Sequence, residues 1–168
     1  MPDTAIRKQI AETARRVVVK LGTNATCDDS GRLSRSAVSR FVAQIARLRE
    51  RGVEVALVAS GAIGVGIGEL GLDRRPQTMP ELQATAAVGQ GQLMRTFHDA
   101  FARRGVPVAQ VLLTRDAFED RTRYLNIRNT LAALRSFGAL PIINENDTVA
   151  VDEIRFGEND VLAGLVAN

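Results

Sequence analysis

Polar clusters follow four apolar runs in this sequence: Lys20-Leu21-Gly22-Thr23-Asn24, Ser60-Gly61-Ala62, Thr114-Arg115-Asp116 and Asn144-Glu145-Asn146-Asp147. A fifth, Glu158-Asn159-Asp160, opens the last apolar segment. Gly22 and Gly61 allow a backbone to approach a ligand closely, and exposed N–H groups there can hold anionic oxygens. Lys20 adds a fixed positive charge. Asp147 and Asp160, with Asn146 and Asn159, can hold an ammonium or a metal-bound phosphate. This set suits phosphoryl transfer to a carboxylate. Such an acceptor is already ionised at neutral pH, so no general base is required. The reaction needs alignment and neutralisation of crowded negative charge. Each cluster alone has a plainer explanation, since Gly and Ser form turns and Asn and Asp cap helices. Gathered on one edge of one sheet, they read as a site.

Other chemistries are excluded. His98 is the only histidine and sits mid-helix in "RTFHDAF", as a surface or packed side chain. Histidine-dependent triads and His/Cys zinc sites therefore drop out. The single Cys27 rules out an internal disulfide framework and any multi-Cys metal site, and beside "DDSG" it reads as exposed. Gly66 to Gly71 formally fits GxGxxG, but it begins well after the preceding strand and reads as helix. No glycine-rich loop precedes Lys20, so there is no P-loop. The net charge of +3 raises the question of nucleic acid. The arginines, however, are scattered among acids on helical segments, and aromatic residues make up only 4% of the chain. Solvated helix faces explain them better. Of the 22 basic side chains only Lys8 and Lys20 are lysines. In an Arg-biased chain, a lysine at position 20 points to a place where a compact ammonium fits and a guanidinium fork does not.

The elements that position these clusters alternate. "VVV" (17–19), "VEVALVAS" (53–60), "VPVAQVLLT" (106–114) and "ALPIIN" (139–144) read as strands. Between the first two, Val38, Phe41, Val42, Ile45 and Leu48 share one helical face, with Ser34 or Ser36 as cap and Gly52 as stop. A second helix runs over about 80–104, with Pro80 in its first turn. A third covers about 120–137, with Tyr124, Ile127, Leu131 and Leu134 on its apolar face and Gly138 ending it. A polar, hairpin-like segment, "ENDTVAVDEIRFGEND", leads into a last helix near Asn159. The alternation predicts an α/β fold: one domain with an open, mainly parallel sheet and helices on both faces. Ligands in such sheets bind beyond the carboxyl ends of the strands, where the polar clusters lie. No apolar run reaches the length of a membrane span, and the N-terminus lacks a signal-type apolar region, so a cytoplasmic protein is expected.

The stretches "VVVKLGTN", "VALVASGAIGVG", "AAVGQGQLM", "QVLLTRDAFEDRTRYLNIRNTL", "PIINENDTVA" and "FGENDVLAGLVA" resemble the amino-acid-kinase domain of the glutamate 5-kinase family. The resemblance runs over nearly the whole chain from about Arg16. It implies ATP-dependent phosphorylation of the L-glutamate γ-carboxylate, the first step of proline synthesis. It implies that Lys20 contacts the ATP phosphates and that Asp160 orients it. Ser60, Gly61, Asp147 and Asn159 are implied to bind glutamate, and Gly22 and Thr23 to match phosphate-loop positions. It further implies Mg2+ carried by the nucleotide with no dedicated protein metal site, a homo-oligomer, feedback by proline, and no membrane or nucleic-acid partner for this segment. Family members continue with a "TD" adenine/ribose segment, a "GTGGMxTK" loop bearing a second lysine, and often a PUA domain, none of which occurs here. Residues 1–168 are thus expected to be the N-terminal, glutamate-binding portion, with little or no kinase activity alone. The rivals are another amino-acid kinase, of acetylglutamate or aspartate type, and a non-catalytic amino-acid-binding module. "INEND" and "GENDVL" argue against the first.

Overall fold

Three valines and a leucine flank Lys20, and this β-branched run pairs as a strand rather than coiling. In the computed structural model, which describes residues 4–27, 33–150 and 158–168, it forms β1 (Arg16–Leu21). The other three expected strands are β2 (Glu54–Ala59), β3 (Val108–Leu113) and β4 (Leu140–Glu145). All neighbours are parallel, in the order β1-β2-β4-β3. The register fixes the edge that matters. Lys20 pairs with Val58, Val58 with Ile143, and Leu112 with Asn144. Lys20, Ser60 and Asn144 consequently end up close to one level at the carboxyl ends of three adjacent strands.

Alternation along the strands sends successive side chains to opposite faces. Val19, Leu21, Val55, Leu57, Ala59, Leu140 and Ile142 form one face. It is covered by α3 (Arg35–Glu50), α4 (Ala62–Leu70) and α5 (Met79–Ala102). Their Val38, Val42, Leu93, Phe97 and Phe101 are essentially inaccessible. Val18, Val58, Val111, Leu113 and Ile143 form the other face, under α6 (Arg121–Ser136) and α7 (Glu158–Ala167). Leu162 of α7 is buried there, while Ile127 and Leu131 of α6 are only half-covered. No residue of α6 is fully buried, and a cleft of about 590 Å³ opens between it and α7. Helices on both faces of a parallel sheet are what the sequence predicts.

Local signals set the helix boundaries. Ser34, not Ser36, caps α3 by accepting the Ala37 N–H at 3.3 Å, and Asp120 caps α6 by accepting the Arg123 N–H at 2.8 Å. Gly52 and Gly138 follow their helices with φ of 79° and 69°, the left-handed conformation that glycine adopts without strain. Two α-helices have no counterpart in the sequence reading, nor does the one-turn 3-10 helix Arg115–Phe118. One is α1 (Thr4–Thr13), whose Ile6 and Ile10 stay exposed, and the other is the single-turn α2 (Thr23–Thr26). Residues 151–157 of the expected hairpin-like segment lie outside the described residues.

The start of α5 carries a pH-dependent anchor. Pro80 occupies its first turn, and the Thr78 N–H donates to Glu81 Oε2 at 3.3 Å. Hydrogen bonds from Thr78 hold the Glu81 carboxyl below its ordinary range. A depressed folded pKa means that the contribution is present above the ordinary carboxylate value and is lost as pH falls through the folded one. Thermal unfolding of Glu81→Ala should therefore show a lower Tm than the parent chain at neutral pH. The difference should shrink as the pH is lowered below the ordinary carboxylate range; a difference that does not change with pH would mean that the charge plays no part.

Candidate active site

At the end of β1 the chain must place an ammonium beside a tight turn. A Cβ on Gly22 would lie 3.3 Å from Lys20 Nζ, so the missing side chain makes room for the ammonium. Lys20 Nζ meets Asp160 Oδ1 at 2.9 Å. Asp160 reaches it because α7 packs against β1, bringing its first turn over the strand end. A lysine closing a buried strand is expected to be desolvated. The structure corrects this, because the Lys20 side chain is 30% exposed and has a carboxylate partner 63% exposed. Between side chains this accessible, such a pair contributes at most about 1 kcal/mol. It can therefore be exchanged for an anionic ligand at little cost.

Beside this pair runs a chain of side-chain amides. Ser60 follows β2, and Gly61 turns the backbone into α4 with φ of 117°, where any L side chain would be strained. Asn159 is adjacent to Asp160 on α7. Its Nδ2 donates to Ser60 Oγ at 2.8 Å and to Asn144 Oδ1 at 3.0 Å. Asn144, 3% exposed at the end of β4, in turn donates from Nδ2 to Gln90 Oε1 on α5 at 2.8 Å. Asn159 Oδ1 is buried with no hydrogen-bond partner. A buried acceptor left in that state is costly, so it awaits a donor.

Four expected residues, Lys20, Ser60, Asn159 and Asp160, thus meet at one place. Thr23 and Gly61 are brought together as well: a Cβ on Gly61 would lie 3.8 Å from Thr23 Oγ1, 3.9 Å from Thr26 Oγ1 and 4.0 Å from Cys27 Sγ. Thr26 is fully buried and donates to the carbonyls of Gly22 and Thr23, which fixes the turn after β1. Cys27 is half-buried, not exposed as its polar neighbours suggest. Asp147 stands in the turn after β4 at the same sheet edge. Asn146 serves that turn, accepting Thr148 Oγ1 at 2.7 Å on its side chain and the Val149 and Ala150 N–H groups on its carbonyl. The polar end of β3 goes elsewhere. A hydrogen bond from Thr114 and the Arg123 guanidinium at 3.1 Å hold the Asp116 carboxyl below its ordinary range, and both partners of the ion pair are exposed. His98 lies on the surface against Asp99. Two members were not assigned from the sequence. Asn144 is visible as a polar end to an apolar run; Gln90 falls in the family-like stretch "AAVGQGQLM", but nothing in its residue type or spacing assigns it a role.

The sequence has close relatives over nearly its whole length. The glutamate 5-kinase of Ralstonia nicotianae is 54% identical over 164 residues, covering 98% of this chain and 44% of that protein. The glutamate 5-kinase of Pelobacter propionicus is 49% identical over 163 residues, 97% of this chain and 44% of that protein. The chain therefore spans less than half the length of the curated relatives it matches. Among solved structures, a carbamate kinase from Giardia aligns with a TM-score of 0.59 at 17% identity, over 92% of this chain and 70% of that one. An aspartate kinase from Synechocystis gives 0.55 at 13% identity, over 90% and 26%. These two likenesses speak for the fold alone. The family model described as "Amino acid kinase family" matches residues 15–168, so the chain belongs to the amino acid kinase family.

Proposed function

We propose that this chain is the acceptor-binding part of a glutamate 5-kinase, in which the γ-carboxylate of L-glutamate takes the γ-phosphoryl group of ATP. The observation that carries this reading is the pairing of polarities around Asn159. Ser60 Oγ accepts from Asn159, so its own proton is free for a carboxylate oxygen, while the unpartnered Asn159 Oδ1 calls for a donor such as an ammonium. An amino acid supplies both. The relatives at about half identity carry the same name.

In this reading Ser60, the Gly61 N–H, Asp147 and Asn159 hold glutamate. Gly22 and Thr23 line the phosphate path. A γ-carboxylate oxygen attacks the γ-phosphorus, the bond to the β-phosphate oxygen breaks, and ADP leaves. Lys20 faces the charge crowding on the transferred group with its remaining protons, while Asp160 holds one of them and keeps the ammonium aimed. Mg2+ would come on the nucleotide phosphates and neutralise part of their charge; no group of three acidic, His or Cys side chains among the described residues forms a cage for it. The remaining length of the relatives is where the resemblance puts the adenine-binding segment and the second lysine. The product would feed proline synthesis in the cytoplasm, within a homo-oligomer subject to proline feedback.

Calorimetry on the 168-residue chain tests the reading. L-Glutamate should bind, and N-acetyl-L-glutamate, which lacks the ammonium, should bind at least about tenfold more weakly. A preference for N-acetylglutamate or aspartate would point to a different acceptor. ADP release should be negligible from this chain with ATP and glutamate; clear turnover would overturn the assignment of the chain to the acceptor side alone.

A further inference from the structure

We propose that Gln90 is a positioning residue that sets, through Asn144, which end of the Asn159 amide faces the ligand, and so makes the site selective for an acceptor bearing an ammonium. The proposal rests on the acceptor reading above and adds its source of selectivity. The two ends of a carboxamide have nearly the same shape and opposite hydrogen-bonding sense, so only neighbours decide which way it points. Here the neighbours form a chain. Gln90 Oε1 takes the Asn144 Nδ2 proton, Asn144 Oδ1 takes one from Asn159 Nδ2, and Ser60 Oγ takes the other. Turning Asn144 alone would set its NH2 against the Asn159 NH2, donor against donor.

Only a concerted turn of the whole chain restores the bonds. It would point Asn159 Nδ2 at the ligand, use up the Ser60 proton, and repel an ammonium. The chain therefore has two self-consistent settings, and the observed one, with Gln90 Oε1 as acceptor at its far end, turns Asn159 Oδ1 to the ligand. Gln90 is well placed to hold that setting. It follows Gly89, whose missing side chain lets α5 close against the Ala62 carbonyl at the first turn of α4, and Gly61, which caps α4, adjoins Ser60. The backbone that carries the Gln90 amide is thus braced against the loop that carries the site.

Two variants separate this role from packing. Gln90→Leu removes the acceptor; Gln90→Glu keeps an acceptor at both oxygens and enforces the observed setting. In the full-length gene product, Gln90→Leu should raise the KM for glutamate by about tenfold or more while the KM for ATP stays put. Gln90→Glu should hold the glutamate KM within about threefold of the parent. An unchanged KM in Gln90→Leu, or equal damage in both variants, would overturn the proposal. A second measurement needs no substrate. In 15N spectra of the 168-residue chain, the Asn144 and Asn159 side-chain NH2 protons should exchange slowly with solvent, lose that protection in Gln90→Leu and keep it in Gln90→Glu. Protection that follows this pattern in a protein that ignores glutamate would sink the functional reading and leave the relay standing. Protection indifferent to Gln90 would sink the relay.

Discussion

Replacing Lys20 with alanine should lower kcat of the full-length gene product by roughly a thousandfold, the scale of losing one aimed charge or donor at a transition state. Folding should hardly notice. The ammonium is 30% exposed and its partner carboxylate 63% exposed, so neither is stranded when the other goes. An exposed pair is worth about 1 kcal/mol or less, which for a chain of this size is roughly 2–4 °C in Tm. Lys20→Arg should not rescue activity. Gly22 leaves room beside a compact ammonium, since a Cβ there would lie 3.3 Å from Nζ, and a guanidinium spreads its charge over a wider planar fork that does not put one nitrogen at that point. Steady-state kinetics beside thermal unfolding decide the matter. A kcat within threefold of the parent, or a Tm loss large enough to explain the rate, would reduce Lys20 to a strand-end residue; a catalytic role requires the two readouts to separate.

The sheet could be read from the sequence because its strands are apolar on both faces and bounded by polar or glycine residues. Val55, Leu57 and Val58 of β2 are all buried, and nothing in "VEVALVAS" contradicts that. Edge position was less legible. Gln110 and Leu112 are the exposed residues of β3, because β3 ends the order β1-β2-β4-β3. A strand's neighbours are a property of the topology, not of its own six residues. The helix α1 escaped notice for the opposite reason. Its only branched apolar side chains, Ile6 and Ile10, are 54% and 60% exposed, so no buried face marks it in the pattern.

The site divides the same way. Lys20, Ser60, Asn159 and Asp160 stand where an apolar pattern breaks into polar residues, and such breaks show in a sequence. How they pair does not. Composition alone sets the Lys20 charge against its buried neighbours; the family resemblance names Asp160, from the far end of the chain, as its partner, and folding brings the two to 2.9 Å. Gln90 is the extreme case. It sits between two glycines inside a helix, and its partner Asn144 is 54 residues away. Nothing local distinguishes it from the half-exposed glutamines common on helix surfaces.

The glycines on either side of Gln90 supply a matched pair for the last prediction. Gly89→Ala should destabilise the chain by about 2–3 kcal/mol or more, the cost of overfilling a packed contact, and lower Tm by roughly 8 °C. A Cβ there would come 1.8 Å from the Ala62 carbonyl oxygen and 2.4 Å from the Gly66 nitrogen. Both are backbone atoms of α4, which cannot rotate away as a side-chain tip would. Gly66 presents the same contact from the other side, since its Cβ would lie 1.9 Å from the Thr85 carbonyl oxygen. Two helices this close can separate only by lifting α4, which moves Gly61 and Ser60 at its head away from Asn159. Whatever Gly89→Ala protein folds should accordingly also bind glutamate more weakly. Gly91→Ala, two residues on, is the control. Its Cβ would meet nothing within 4 Å, so the change should leave the chain as stable or raise its stability by up to about 1 kcal/mol through helix propensity. Circular dichroism melts of the two variants should move in opposite directions or nearly so. If Gly89→Ala melted at or above Gly91→Ala, the tight α4–α5 contact would not be the brace that holds the Ser60 turn in place.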